Sequence, residues 1–437
     1  MLLMYIAQLK YSCFGWFGQV IDCFRKSMVR IQTDKHCRFH IVGDGTPATV
    51  FPLLSGKSEL EHPDASKKFS NGQFLDSKLF IFHEIKADGY HTAYFEDMVS
   101  VGTFQYRYNG FNASPADHYL RSFFMEESRL KRTSSKYCVG ATPQYLLMLN
   151  LTSQFMEMEG KKFCFTFIAD ISHDDFNMIT VADDDFVEFL REFKYSQKFK
   201  NTLLIVMGDH GNSLFVLPEK LVQQRPEALS ALKGNEEILI TPFDLHTTIL
   251  DVMGLKRLVN QIKVPGSHLS RGISLLEPIP KSRSCGQAAI LPHWCVCNKW
   301  SNVSITDPLH TRVGVLLAQF INNITLEQRE LCVKRTLTSI EWVMRHGTNN
   351  EILRYRSSWD DHGLYAAYAT NSHKVQPYIV MAPGRAVYEA TMKYFVREDR
   401  FNISASEISR ITAYKNEPQC VSELHPHLNK YCYCKNT

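Results

Sequence analysis

The sequence predicts an α/β fold with a largely parallel sheet, and three observations predict it. Short apolar, β-rich runs alternate with amphipathic helical stretches from residue 39 to about 255. Runs such as "TLLIVM" are apolar at every position rather than at every second one, which marks strands covered on both faces. Polar residues gather where those runs end, in "FIADISHDDFN" and "IVMGDHGN", and the carboxyl edge of a parallel sheet is where loops and helix N-termini open.

The elements follow in order. In "CRFHIVGDGTPATVFPLLSGK", Gly43 and Gly45 permit a tight turn and Pro47 suits the first turn of a helix, so Thr46 is predicted at a helix N-terminus. There, free backbone N–H groups and the helix dipole would favour an anion such as phosphate or sulfate, whereas an ordinary N-cap threonine would simply close the helix. Next come a helix over "SKLFIFHEIKADGY", a strand over "TAYFED" and a helix over "TPQYLLMLNLTSQFMEM". The strand "KFCFTFIAD", the helix "DDDFVEFLREFKYS" and the strand "TLLIVMGDHG" complete the core. After about residue 300 the texture changes, and "KVQPYIVMAPGRAVYEATMKYFV" and "ISRITAYK" read as strands and turns of a smaller α+β part. The expected organisation is a divergent or truncated segment over 1–38, a core over 39–299 and a cysteine-containing subdomain over 300–437.

A chain of 437 residues that is 44% hydrophobic and 22% charged can bury a large core. Its net charge of +4 is dispersed, which argues against nucleic-acid binding. Twelve cysteines, several clustered late, accompany Asn-x-Ser/Thr sequons at Asn112, Asn150, Asn302, Asn323 and Asn402, the first disfavoured by Pro115. Together they indicate an oxidising, glycosylating compartment, extracellular or secretory. Disulfides account for the cysteines better than zinc, because a Cys-x-Cys pair lacks the spacing of paired zinc knuckles. "MLLMYIAQLK" is a poor signal peptide, with no basic start and no clear small-residue cleavage site. No later run reaches the roughly eighteen apolar residues of a membrane span.

Asp209 and His210 follow directly on a buried strand, and a divalent cation would satisfy two polar groups placed there. A carboxylate oxygen and an imidazole nitrogen suit zinc or manganese, and Gly208 and Gly211 let the backbone aim both at one point. Alternatively, Asp209 caps a turn and His210 sits at the surface. His173 is a candidate ligand or substrate contact, with Asp174 or Asp175 orienting its ring, unless Asp175 is a helix cap and His173 is exposed. His246 lies in an amphipathic helical pattern that suits a packed histidine better than a ligand. A metal beside Thr46 would let its hydroxyl attack phosphorus or sulfur. Lys57 is a candidate for balancing substrate charge.

The ordered set "GDGTPATVFPLLSGK", "GYHTAYFEDM", "ISHDDFN", "VMGDHGN" and "TPFDLHTTILDVMG" resembles the alkaline phosphatase and sulfatase superfamily. More closely it resembles an extracellular branch known as domain of unknown function 229, as do "YNGFNASPADHYLR", "CGQAAILPHWCVC" and "LNKYCYCK". The resemblance covers about residues 39 to 437. It implies a three-layer sandwich around a mostly parallel sheet, Thr46 as nucleophile, Asp209 and His210 as the metal pair, and Lys57 and His118 as substrate contacts. Ala48 and Val50 stand where classical sulfatases carry proline and arginine, which disfavours a formylglycine enzyme and favours threonine-based phosphate chemistry.

The same resemblance implies an acidic ligand ending the first strand, within an Asp-Ser-x-Ser-Arg-like motif about three dozen residues before Thr46. Here that region reads "YSCFGWFGQVIDCFRKS", Asp22 is its single acid, and the first strand itself is expected to be missing. Two functions therefore stand side by side. One is a metal-dependent hydrolase or transferase of phosphate-type, less readily sulfate, esters. The other is an inactive relative acting as an extracellular binding module or surface glycoprotein.

Overall fold

The computed structural model describes residues 2–7, 28–31, 39–67, 71–130, 136–173, 176–196, 198–209, 213–255, 262–264, 267–291, 293–295, 300–346, 372–396 and 398–437. They form two compact units, Met1–Trp294 and Cys295–Thr437. No helix among the described residues is long and apolar enough to cross a membrane.

The first unit is built on strands β1 (Leu2–Ala7), β2 (Met28–Ile31), β3 (Tyr90–Glu96), β4 (His118–Tyr119), β7 (Lys161–Ile168), β8 (Leu203–Gly208) and β9 (Ser213–Val216), with a two-residue hairpin, β5 (Cys138–Val139) and β6 (Thr142–Pro143), beside them. Their order is β2-β9-β8-β1-β7-β3-β4. Strands β8, β1, β7, β3 and β4 run parallel, whereas β9 returns antiparallel to β8 and carries β2 on its outer edge.

Helices α1 (Pro47–Ser55), α2 (Ile81–Ala87), α3 (Arg121–Leu130), α4 (Gln144–Glu157), α5 (Asp170–His173), α6 (Asp183–Tyr195), α7 (Glu219–Gln224), α8 (Pro226–Gly234) and α9 (Pro242–Val252) connect the strands. Successive strand residues point to opposite faces, and the apolar runs supply both. Phe163, Phe165 and Phe167 join Ile205, Met207, α1, α2 and α9 in one buried cluster. Cys164, Ile168, Leu204 and Val206 join α4 and α6 in another. The α/β class and the parallel sheet thus stand as read from the sequence.

The expectation that the first strand is missing is corrected. Leu2–Ala7 lies in the middle of the sheet, with Ala7 in register with Ile168 on one side and Gly208 on the other. A six-residue apolar run fits the central slot of a parallel sheet and is too short for a signal or a span, which is why its sequence suggested neither. The helix expected over residues 77–90 is also shorter. Asp76 caps a single turn at Ser77–Leu79, Phe80 is extended, and α2 starts only at Ile81.

The second unit is antiparallel: β10 (Trp300–Asn302), β11 (Thr336–His346), β12 (Ser372–Ala382), β13 (Ala386–Ala390) and β16 (Ile408–Arg410) pair in that order. Strand β14 (Met392–Phe395) pairs with β12 and with β15 (Arg400–Asn402). Helix α10 (Pro308–Ile324) lays Val313, Leu317 and Ile321 on the sheet's buried face. Gly314 makes the close approach possible, because a Cβ there would overlap the Ile340 side chain. The closing loops are tied by Cys332–Cys432 and Cys420–Cys434.

Candidate active site

Thr46 stands at the N-cap of α1 with Pro47 in the first turn, and Gly45 reaches it through a left-handed φ of 70°. Its hydroxyl makes no capping bond. Instead Thr46 Oγ1 donates to Asp209 Oδ2 at 2.8 Å, across 163 residues of sequence. One turn on, Thr49 Oγ1 donates to the backbone carbonyl of Asp209. Two threonine hydroxyls on one face of α1 therefore dock the helix onto the end of β8. Asp209 follows the last residue of that strand, is fully buried, and lies at the carboxyl edge that the parallel topology predicts for chemistry.

One expectation about this helix is corrected. The amides of Ala48 and Thr49 donate to the carbonyls of Gly45 and Thr46, and Pro47 has no N–H. These first-turn bonds engage two of the amides that were expected to face an anion. A positive charge at the turn comes from Arg107, which sequence reading missed. Its guanidinium donates to the Asp44 carbonyl at 3.0 Å and pairs with the carboxylates of Asp44 and Glu59. No local motif marks Arg107; it arrives from 61 positions beyond Thr46 only through tertiary folding.

The structure missed by motif reading also includes Asp97, which directly follows β3 inside the quoted "GYHTAYFEDM". Its buried carboxylate accepts the amide of Ala169 at 2.8 Å and that of Asp170 at 3.3 Å, so it fixes the turn at which β7 passes into α5. Burial pushes its pKa up to about 7, against the lowering effect of those amides and with help from the neighbouring Asp170 charge. Two adjacent acids, Glu96 and Asp97, closing a β-rich run are the signal that could have found it. Glu96, one residue earlier, is raised by burial and is held by Tyr94, by the Thr103 amide at 2.8 Å and by the Thr103 hydroxyl at 2.7 Å.

The remaining candidates separate. His173 is exposed at the last position of α5, on the same carboxyl edge. Strand β1 lies between β7 and β8, so His173 and Asp209 leave the sheet two strands apart, roughly 10 Å at the usual strand spacing. Lys57 lies just beyond the far end of α1, about 14 Å of helix away from Thr46. His118 is exposed on the edge strand β4 and packs edge-on against Phe155, whose cluster covers the sheet face opposite α1. Neither Lys57 nor His118 is brought to Thr46. His246 is packed in α9, its Nδ1 facing the Leu53 carbonyl at 2.9 Å, and burial lowers its pKa to about 4. His210, Asp174 and Asp175 lie outside the described residues.

Asp244, from "TPFDLHTTILDVMG", is structural. It closes a capping box with Thr241 at the start of α9 and pairs with the buried Arg283 through bonds of 2.7 and 3.0 Å.

The family described as protein of unknown function DUF229 matches residues 31–214 and 212–341 of the sequence. The chain belongs to the DUF229 family. Among solved structures, this DUF229 chain is similar to the lipoteichoic acid synthase LtaP from Listeria monocytogenes, with a TM-score of 0.37 and 11% identity over 63% of this chain and 75% of that one. It is also similar to the soluble domain of lipooligosaccharide phosphoethanolamine transferase A from Neisseria meningitidis, with a TM-score of 0.32 and 11% identity over 58% of this chain and 86% of that one. A search among curated proteins finds no match.

Proposed function

We propose that this DUF229 chain is a metal-dependent hydrolase or transferase of phosphate-type esters, built on a three-layer arrangement around its parallel sheet, with Thr46 as nucleophile. The observation that carries the reading is the 2.8 Å bond from the Thr46 hydroxyl to the buried Asp209 carboxylate at a strand end. A hydroxyl that forgoes its capping role to meet a buried acid is placed for reaction rather than for helix closure.

The donor chemistry fits a divalent cation. Thr46 oxygen and Asp209 oxygen meet at hydrogen-bond distance, and the sequence adds the imidazole of His210, giving the three protein donors of an open catalytic zinc site. When bound, zinc or manganese would stabilise developing negative charge and make the threonine hydroxyl easier to deprotonate. Asp209 Oδ2 takes the hydroxyl proton as Thr46 Oγ1 attacks phosphorus, and the leaving alcohol departs on the opposite side. Arg107 holds the Gly43–Gly45 turn, so that the hydroxyl keeps its aim. His173, across the width of one strand, contacts the ester or supplies a proton to the leaving group. The exposed side chains of all five sequon asparagines support a glycosylated chain in an oxidising compartment.

One observation favours the second reading, an inactive binding module. Strand β1 is in place, yet the residue after Ala7 is Gln8, and the sequence holds no acid before Asp22. A carboxylate is therefore absent from the position where the resemblance requires one, which weakens any metal site.

Elemental analysis of the purified protein, with turnover of a generic phosphodiester, separates the two. The enzyme reading expects near-stoichiometric zinc or manganese and measurable turnover, both lost in Asp209→Ala and turnover alone abolished in Thr46→Ala. A folded protein with neither metal nor turnover would replace that reading with the binding module.

A further inference from the structure

The end of the second unit brings four cysteines to one place. Two disulfides, Cys332–Cys432 and Cys420–Cys434, lie side by side. Cys420 Sγ and Cys432 Sγ, from different bridges, are 4.0 Å apart, and the sulfurs of Cys420, Cys432 and Cys434 all lie within 4.8 Å of one another. Cys332 is bonded to one of those three. A tetrahedral zinc with Zn–S bonds of about 2.3 Å sets its sulfurs about 3.8 Å apart, close to the spacing between these bridges.

We propose that, once both bridges are reduced, this cluster is a four-cysteine zinc site. The idea is independent of the reading of Thr46 and Asp209, and it rests on a frame of hydrogen bonds that bring the four cysteines together without using the disulfide bonds. Cys332 and Cys434 face each other across an antiparallel bridge, flanked by Val333 N–H donating to the Tyr433 carbonyl at 2.8 Å and Lys435 N–H donating to the Leu331 carbonyl at 3.0 Å. Cys434 N–H donates to the Glu417 carbonyl at 2.8 Å. The buried Arg335 guanidinium ties the same loops together, donating to the carbonyls of Tyr431 at 3.0 Å and Cys432 at 3.2 Å and to Glu417 Oε2 at 2.7 Å. None of these bonds uses a cysteine sulfur.

The electrostatics also suit thiolates. Cys420 N–H already points at Cys434 Sγ at 2.9 Å, and the Arg335 charge lies on the Cys432 backbone, where both lower the cost of negative sulfur. Cys332, Cys432 and Cys434 are buried while Cys420 is exposed, so reductant and metal enter from the Cys420 side. Each bridge takes two electrons and two protons, both from a dithiol that closes to its own disulfide, or the electrons from a phosphine that becomes its oxide and the protons from the water that supplies the oxygen, giving four thiols in all. Binding one Zn²⁺ then releases four protons to solvent, so affinity falls as pH drops.

The test is titration of the full chain, reduced with a phosphine under argon, first with Co²⁺ and then with Zn²⁺. Thiolate-to-cobalt charge transfer reports sulfur ligands, which a threonine, aspartate and histidine site cannot produce. We expect one equivalent of cobalt with tetrahedral absorption, displaced by zinc, and loss of these bands in the Cys420→Ser/Cys434→Ser double variant. A reduced, folded chain without the bands, or bands unchanged in the double variant, would overturn the proposal. Where reduction unfolds the chain, zinc present during reduction is expected to preserve its circular dichroism. Equal unfolding with and without zinc would also overturn it.

Discussion

Arg335 of the second unit and Asp97 of the first are buried charges held in opposite ways. In the second, Arg335 is enclosed but its guanidinium meets three carbonyls, at Tyr431, Cys432 and Pro383, and the carboxylate of Glu417, which Arg410 pairs as well. In the first, Asp97 is enclosed with amides as its hydrogen-bond donors and with Asp170 and Glu96 as acidic neighbours, and its pKa rises to about 7. Compensated charge fixes a fold. Charge held beside like charge at the end of a strand carries a cost, and such costs gather at sites that do chemistry. Asp209 is likewise buried at a strand end of the first unit, where a threonine hydroxyl donates to its carboxylate.

The largest effect expected from testing this contrast is loss of the longer disulfide. Cys332 and Cys432 are 100 residues apart and Cys420 and Cys434 only 14. In the chain-entropy account, removing the first costs about 4.7 kcal/mol and the second about 3 kcal/mol. Calorimetry of the two paired alanine variants should rank them in that order, and the reverse order would mean that the frame around Arg335, rather than loop closure, carries the stability.

Next comes Arg335→Met, which leaves buried carbonyls without their donor and should cost about 3–5 kcal/mol in urea unfolding. A loss below about 1 kcal/mol would show that Arg410 alone holds Glu417 and the closing loops.

A pH experiment probes the first unit. The Asp97 carboxyl titrates near 7 in the folded chain, above its ordinary value of 3.8. Between those values the folded state keeps a proton that the unfolded state has lost, so this group's stabilisation is full below about pH 4 and is lost as pH rises through 7. The span is worth at most about 4 kcal/mol. Asp97→Asn should flatten that decline in urea unfolding at pH 5 and pH 8; an unchanged slope would assign the decline to other groups.

The smallest effect on stability should come from Thr46→Val. Removing one hydroxyl's bond to Asp209 is expected to change unfolding free energy by about 1 kcal/mol or less while abolishing turnover. A loss of several kcal/mol would recast Thr46 as a structural tie like those of the second unit.

The sequence by itself determined the α/β class, the strand ends that carry Asp209 and His173, the helix opening at Thr46, and the family, because apolar runs, turn glycines and prolines act locally. Local chemistry does not say where a hydroxyl points. Only the tertiary structure directed Thr46 to Asp209 across 163 residues instead of back to its own helix, and spent the first-turn amides on Gly45 and Thr46. It alone slotted Leu2–Ala7 into the sheet, since a six-residue apolar segment acquires its meaning from the strands on either side. Arg107 reached the Gly43–Gly45 turn, and Lys57 and His118 were held away from it, for the same physical reason. Distance along the chain fixes neither which end of a helix faces a site nor which face of a sheet a side chain covers.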